Sequence, residues 1–156
     1  MRKLLLFGVA AVTYAMVVPG AALAHGGPPV DVFTDTVSGS DVLPFIGPCG
    51  GGPGTVSIEF HDTFHVTAFA DGHVVLSANQ AGSFEFTPSD PTGPSSSGRY
   101  RNGFTSTFMQ SSGTDTSVFN VAGRDENGEH VRFQVRSHVT FANGEVRVDN
   151  VTVSCP

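Results

Sequence analysis

Strict alternation of apolar and polar residues in the first half of the chain constrains the fold more than any other feature. Between Thr55 and Ala70 most apolar residues fall at even positions, from Val56 to Ala68, and they do so again between His73 and Thr87, from Val74 to Phe86. Successive side chains of a β-strand lie on opposite faces, so this period predicts two strands that each bury one face. Frequent glycine and proline argue against long helices.

The segment Ala70-Asp71-Gly72 separates these two strands. A three-residue loop with glycine brings the two apolar faces together, whereas a two-residue turn would put them on opposite sides of the hairpin. The predicted pairs are Val66–Leu76, Asp62–Gln80, Ile58–Phe84 and Val56–Phe86.

Shorter alternating stretches, separated by turn residues, continue on both sides of this hairpin. They predict strands at Val30–Val37, at Val42–Ile46, at Tyr100–Phe108, around Phe119 and Val121, at Val131–Phe141 and before Ser154. The Pro88–Ser97 segment is rich in proline, serine and glycine and is typical of an exposed loop. The chain therefore reads as a meander of seven or eight antiparallel strands.

Asn143-Gly144 is a strong signal for a tight hairpin turn. It predicts that Phe141 pairs with Val146 and that Val139 pairs with Val148. The same register sets Asn150 opposite Ser137 on the inner face and His138 opposite Asp149 on the outer face. The apolar residues of the last strand then move from even positions to the odd positions Val151 and Val153, which predicts a β-bulge there.

A meander of this length either closes into an up-and-down barrel or splits into a β-sandwich. Strands of about fifteen residues would span roughly 50 Å if straight, so they must coil strongly. We expect the closed barrel, with the sandwich as the alternative.

The first 24 residues have the pattern of a secretory signal peptide: Met1-Arg2-Lys3, an apolar run, and then Ala22-Leu23-Ala24. We expect cleavage after Ala24, a single domain over residues 25–156, and a secreted, extracellular protein. An uncleaved N-terminal anchor is the alternative, although the apolar run is shorter than the roughly twenty residues of a membrane span.

The chain has two cysteines, Cys49 and Cys155, and both follow the predicted cleavage site. Disulfides persist in oxidising compartments, so we expect these two to be bonded to each other. Two unpaired thiols are the alternative. A metal site would need more ligands than two distant cysteines supply, and we expect neither a metal nor a cofactor.

Residues 25–156 carry six arginines, no lysine and fourteen acidic residues, a formal net charge of −8. An acidic surface repels phosphate backbones and anionic lipid headgroups, so we expect no nucleic-acid partner and no membrane association after cleavage. We expect a monomer.

Polar residues interrupt the predicted inner faces near the middle of the long strands. Together with one tyrosine they form the predicted ligand-binding belt: Asp62, Gln80, Tyr100, Asn102, Ser106, Ser137 and Asn150. A belt of this kind among phenylalanines would make a mostly apolar pocket with a few orienting groups, suited to a small, partly apolar ligand. In the alternative reading, Asp62 marks a solvent-exposed bend and the other residues are satisfied core groups.

Three functions follow from these alternatives. The first is binding of a small ligand inside the barrel. The second is an isomerase or cyclase in which a buried Asp62, with its pKa raised by desolvation, transfers protons. The third is interaction at the cell surface through the outer face or the Pro88–Ser97 loop.

The segment from His138 to Glu145, the final Cys155 and the early Pro48-Cys49 resemble a group of small exported actinomycete proteins of uncharacterised function. That group is similar to barrels of the calycin or allene-oxide-cyclase type. The resemblance implies export and a barrel, and it assigns no catalytic residue.

Overall fold

The computed structural model describes residues 28–143 and 145–155, so the predicted signal peptide lies outside the described residues. Seven long strands account for most of them. In chain order they are β1 (Pro29–Ile46), β2 (Pro53–Phe69), β3 (His73–Pro88), β4 (Ser96–Met109), β5 (Ser112–Asp125), β6 (His130–Ala142) and β7 (Glu145–Ser154). No helix long and apolar enough to cross a membrane occurs in this described part.

The strands form one antiparallel sheet in which each pairs with its neighbours in the sequence, in the order β1 to β7. The all-β class and the meander are therefore confirmed. The prediction of two separate strands at Val30–Val37 and Val42–Ile46 is wrong. Both stretches belong to β1, which pairs with β2 from Asp31, opposite Ala68, to Ile46, opposite Pro53.

The sheet does not close into a hydrogen-bonded barrel, because no ladder joins β1 to β7 among the described residues. Strand number supplies a physical reason. In an antiparallel meander of seven strands, the first and last strands run in the same direction. Closure would then need a parallel ladder, which is slightly less stable per residue than an antiparallel one. The strands also differ in length, with 18 residues in β1 and 10 in β7.

The β2–β3 hairpin has the register predicted from burial. Val66 lies opposite Leu76, Ile58 opposite Phe84, and Val56 opposite Phe86. The loop of residues 70–72 contains Gly72 at a φ of 85°, a left-handed conformation that glycine adopts without a steric penalty.

The disulfide between Cys49 and Cys155 is present, with 5.7 Å between the two Cα atoms. Cys49 follows β1 and Cys155 follows β7, so the bond holds the two edge strands together at one end of the sheet. At the same end the Phe45 ring of β1 lies 6.4 Å from the Phe133 ring of β6, measured between centroids. The sheet therefore curls strongly, and its inner face is concave.

The core lies at this cysteine end of the inner face. Phe84, Tyr100 and Val121 are buried there, and partly buried apolar side chains surround them. Glycines on neighbouring strands make room for the rings: a Cβ placed on Gly82 would meet the Glu59 carbonyl and the Tyr100 ring. The far end is more open, and β7 is exposed along its length.

The last hairpin departs from its predicted register. Phe141 pairs with Val146 as expected, but a bulge follows at once, between Thr140 and Phe141. The bulge moves every later pair by one residue, so Val139 faces Asp149 and His138 faces Asn150. The predicted pairs Val139–Val148 and His138–Asp149 are wrong, because the bulge lies beside the turn and not at Val151.

Candidate functional site

Three residues of the predicted belt lie side by side on the inner face. The cross-strand register sets Asp62 of β2 opposite Gln80 of β3, and Gln80 opposite Asn102 of β4. The Gln80 Nε2 atom donates a hydrogen bond of 2.9 Å to Asp62 Oδ2. Tyr100, two residues before Asn102 on the same face, is 3 % exposed. The sheet therefore brings together four side chains that the sequence assigns to a ligand site.

Several polar atoms of this inner face are buried and have no hydrogen-bond partner. They are Asp62 Oδ1, Tyr100 OH, Asn102 Oδ1 and Asp115 Oδ1. A buried polar atom without a partner costs about 1–3 kcal/mol, so each such atom in a folded protein calls for a reason. Three of the four are pure acceptors, and only the tyrosine hydroxyl can also donate.

Burial perturbs the acids of this group. Desolvation raises the pKa of the Asp62 carboxyl above its ordinary value, and the hydrogen bond from Gln80 opposes that rise. Burial, with a smaller contribution from the nearby charge of Asp62, raises the pKa of Tyr100 to about 12. Both shifts favour the protonated forms, so Tyr100 is a hydrogen-bond donor throughout the physiological range.

Two further predicted residues, Ser106 and Ser137, lie towards the open end of the same face. Ser106 is 7 % exposed and faces Asp115 across the β4–β5 ladder. The Ser137 hydroxyl lies 2.8 Å from that of Ser117, so this pair satisfies itself.

Sequence reasoning missed Asp115 and Ser117. Both have odd numbers, like Phe119 and Val121 on the same strand. The odd numbering, which puts these two residues on the same strand face as Phe119 and Val121, is the signal from which the sequence could have identified them. The strand predicted around Phe119 and Val121 did not extend to these two residues, whereas β5 begins at Ser112 and so carries both on the inner face.

Asn150 does not belong to the site. The bulge in the last hairpin sets it opposite His138, on the outer face, and sets Val151 opposite Ser137. Its predicted position on the inner face, opposite Ser137, is therefore wrong, since a shift of one residue exchanges the two faces of a strand.

The inner face carries negative charge only. By register it holds seven aspartates: Asp31, Asp35, Asp41, Asp62, Asp115, Asp125 and Asp149. Every arginine and histidine of the described strands β1 to β6 has the opposite parity and lies on the outer face. The concave face is thus acidic and aromatic.

The histidines form no shared site. The Nδ1 atom of His61 lies 2.8 Å from the Ser38 hydroxyl, and that of His65 lies 2.8 Å from the Thr34 hydroxyl. Both contacts are on the outer face, where each ring has its own β1 partner. Within residues 28–143 and 145–155, no group of three or more metal-ligating side chains is gathered in one place.

Comparisons with protein-family models, with curated proteins and with solved structures found no match to this chain. The resemblance to exported actinomycete barrels stays a prediction.

Proposed function

We propose that this is an exported, extracellular protein that binds a small, partly apolar, positively charged ligand on the inner face of the sheet. The observation that carries the proposal is the set of buried, unpartnered acceptors on Asp62, Asn102 and Asp115. A ligand with N–H or O–H groups would satisfy them and recover the free energy that their isolation costs. The disulfide supports export, since such bonds persist outside the reducing cytosol.

The charge of the ligand follows from the electrostatics of the face. Asp62 lies between Phe60 and Phe64 on the inner face of β2, and by register no arginine or histidine of strands β1 to β6 shares that face. The charge of His61, on the outer face, is the smallest of the three influences on the Asp62 pKa, which it lowers. An ammonium group would be attracted to the carboxylates and to the face of the Tyr100 ring, whereas an anion would be repelled. Apolar contacts would come from neighbouring phenylalanines such as Phe60 and Phe119, which pack against the core.

The experiment uses the ring signals of Tyr100, which is the single tyrosine in residues 25–156. The protein is titrated with phenethylamine and with its neutral analogue 2-phenylethanol, and the ring resonances are followed by NMR. We expect the amine to shift these resonances and to bind at least about fivefold more tightly than the alcohol, as one charge-assisted hydrogen bond allows.

The matched variants are Asp62→Asn and Glu85→Gln. Both remove one charge, but Glu85 is exposed on the outer face of β3. We expect only Asp62→Asn to remove the preference for the amine. Equal binding of amine and alcohol by the unmodified protein, or an equal loss in both variants, would contradict the proposal.

A second candidate function is proton transfer by Asp62, as in an isomerase or cyclase. Desolvation raises the pKa of its carboxyl above the ordinary value, and this shift brings the group closer to the pH at which a general acid or base works best. The same NMR samples test it over time. New ligand signals that appear with the unmodified protein and not with Asp62→Asn would establish catalysis, and unchanged ligands would leave binding alone.

A further inference from the structure

The arginines of this acidic protein are concentrated on one part of its outer face. Arg99 of β4 and Arg132 of β6 both pair with Ala122 of β5, from opposite sides. Arg101 lies two residues from Arg99, and Arg136 lies four residues from Arg132, on the same outer face. Arg124 of β5 also shares this face. Five of the six arginines in residues 25–156 are thus on three adjacent strands.

These guanidinium groups have no carboxylate partners in the described part of the chain. The described ion pair that involves an arginine joins Arg147 to Glu145, on β7. Arg124 donates to the Gly128 carbonyl, and the Nε of Arg136 donates to the side-chain oxygen of Gln134. All five arginine side chains are exposed. Their charges are therefore not neutralised by neighbouring residues.

The centre of this surface is hollow. An open depression of about 660 Å³ is lined by Arg99, Arg101 and Arg132 together with Asn120, Ala122 and Gln134. Asn120 and Gln134 are joined by a 2.6 Å hydrogen bond, and Ala122 is small. The lining therefore combines these small and polar side chains with the three arginines, and it also includes Tyr100, Val121 and Phe133. We call this surface the arginine groove.

The spacing of the arginines indicates how many anionic groups would be bound. Side chains two residues apart on one strand are separated by about 7 Å. Side chains on β4 and β6, which have one strand between them, are separated by about 10 Å. One phosphate or carboxylate cannot contact guanidinium groups at all of these positions. A ligand with two or three anionic groups can, and the planar guanidinium fork matches both phosphate and carboxylate oxygens.

The rest of the molecule limits the size of the ligand. The outer face also carries acidic residues, such as Glu59 of β2 and Glu85 of β3, and a long polyanion or an anionic membrane would extend over them. Repulsion acts within a Debye length of about 8 Å at physiological ionic strength. A compact anion inside the arginine groove would avoid most of that repulsion.

We propose that the arginine groove is a second binding site, distinct from the inner face, for a compact anion that carries two or more phosphate or carboxylate groups. Its guanidinium groups lie on the outer face by register and it uses no atom of Asp62, so it stands independently of the ligand proposed for the inner face. The net charge of −8 does not describe the local field of this face, where arginines are concentrated.

The test is isothermal titration of the full chain with tripolyphosphate, citrate and inorganic phosphate at low and physiological salt. We expect tripolyphosphate or citrate to bind at least about tenfold more tightly than inorganic phosphate, and more weakly as salt increases. Which of the two binds more tightly distinguishes phosphate from carboxylate chemistry. Equal affinity for all three anions, or no binding of either multivalent anion, would overturn the proposal.

Variants locate the site. The double variant Arg99→Ala/Arg132→Ala is expected to lose at least about tenfold in affinity, whereas Arg147→Ala, an arginine outside the groove, is expected to bind normally. Arg99→Lys/Arg132→Lys keeps the charge and should lose less than the alanine pair. Unchanged affinity in the alanine pair, or tighter binding of duplex DNA or anionic vesicles than of tripolyphosphate, would contradict a compact-anion site.

Discussion

At the scale of single residues, the inner face contains an unusual carboxylate. Asp62 is only partly buried, but one oxygen is fully enclosed and has no partner, while the other accepts from Gln80. Desolvation dominates, so its pKa is raised. The residue therefore costs stability when it is ionised, and the sheet retains it at a site where a donor or a cation would find an acceptor.

This carboxylate should make the stability of the protein depend on pH in a defined direction. The pKa of Asp62 is higher in the folded than in the unfolded state. The stabilisation that its protonated carboxyl contributes is therefore fully present below the unfolded pKa of 3.8, and it is lost as the pH rises through the folded pKa. We expect Asp62→Asn to be more stable than the unmodified protein at pH 7, by about 1 kcal/mol or less given its partial exposure. Denaturant unfolding at pH 3 and pH 7 measures the difference, which should vanish at pH 3.

Asp90 provides a control of the opposite sign. Its carboxylate accepts hydrogen bonds from the backbone and the hydroxyl of Thr92, and these lower its pKa. The stabilisation that the Asp90 carboxylate contributes is present above the unfolded pKa of 3.8, and it is lost as the pH falls through the lowered folded pKa. Asp90→Asn should therefore be less stable at pH 7, not more. A gain in both variants would contradict the assignment of desolvation to Asp62.

At the scale of strands, glycines under aromatic rings allow the sheet to coil tightly at the cysteine end. The Tyr100 ring lies beside Gly82 of β3, and the Phe84 ring lies beside Gly123 of β5. A side chain at either glycine would meet a backbone carbonyl of the neighbouring strand. Glycine is otherwise unfavourable within a strand, and close backbone approach is one of the reasons for which it occurs there.

The strand geometry predicts different effects at two glycines. At Gly82 an added Cβ would collide with the Glu59 carbonyl, whereas at Gly103 of β4 it would only touch the Asn79 side chain, at 3.6 Å. We expect Gly82→Ala to destabilise the protein by about 2 kcal/mol or more, and Gly103→Ala to change its stability by less than about 1 kcal/mol. Thermal unfolding of both variants measures this, and equal effects would show that Gly82 is not a site of close approach.

The hairpins show how far strand pairing follows from sequence. The β2–β3 register was predicted correctly, because Asp62–Gln80 and its neighbours follow from the position of Gly72 and from long apolar faces that tolerate no slip. The β6–β7 register was not, because all of β7 is exposed. With little burial to select a register, the bulge beside Asn143 decides it, and with it the face on which Asn150 lies.

At the scale of the whole molecule, the disulfide links the first and last strands of the sheet, which no ladder of hydrogen bonds joins among the described residues. Strands β1 and β7 have no ladder between them among the described residues, yet Cys49 and Cys155 join them at one end. The bond closes a loop that spans 106 positions of the sequence. In the chain-entropy model, a loop of that length stabilises the folded state by roughly 4.7 kcal/mol.

Loss of this bond should therefore be severe and should affect the two edge strands first. We expect Cys49→Ser/Cys155→Ser to lose about 3–5 kcal/mol of unfolding free energy. We also expect its backbone amides in β1 and β7 to exchange faster than those of β3 and β4. Denaturant unfolding and hydrogen exchange measure the two effects. Uniform exchange across all strands would show that the bond stabilises the sheet as a whole and not its edges.

The sequence by itself determined the all-β class, the order of the strands, the β2–β3 register and the pairing of Cys49 with Cys155. These follow from local alternation, turn chemistry and the presence of only two cysteines, none of which depends on distant contacts. Only the tertiary structure decided that the sheet stays open, that Asn150 faces outwards, that Asp115 joins the inner face, and that the arginines gather around one groove. Closure of the sheet depends on the number of strands and on how strongly they coil. Which side chains face each other on neighbouring strands depends on the register, and a single bulge can shift that register by one residue. For that reason, alternation predicted the strands but could not predict how their two faces would assemble into sites.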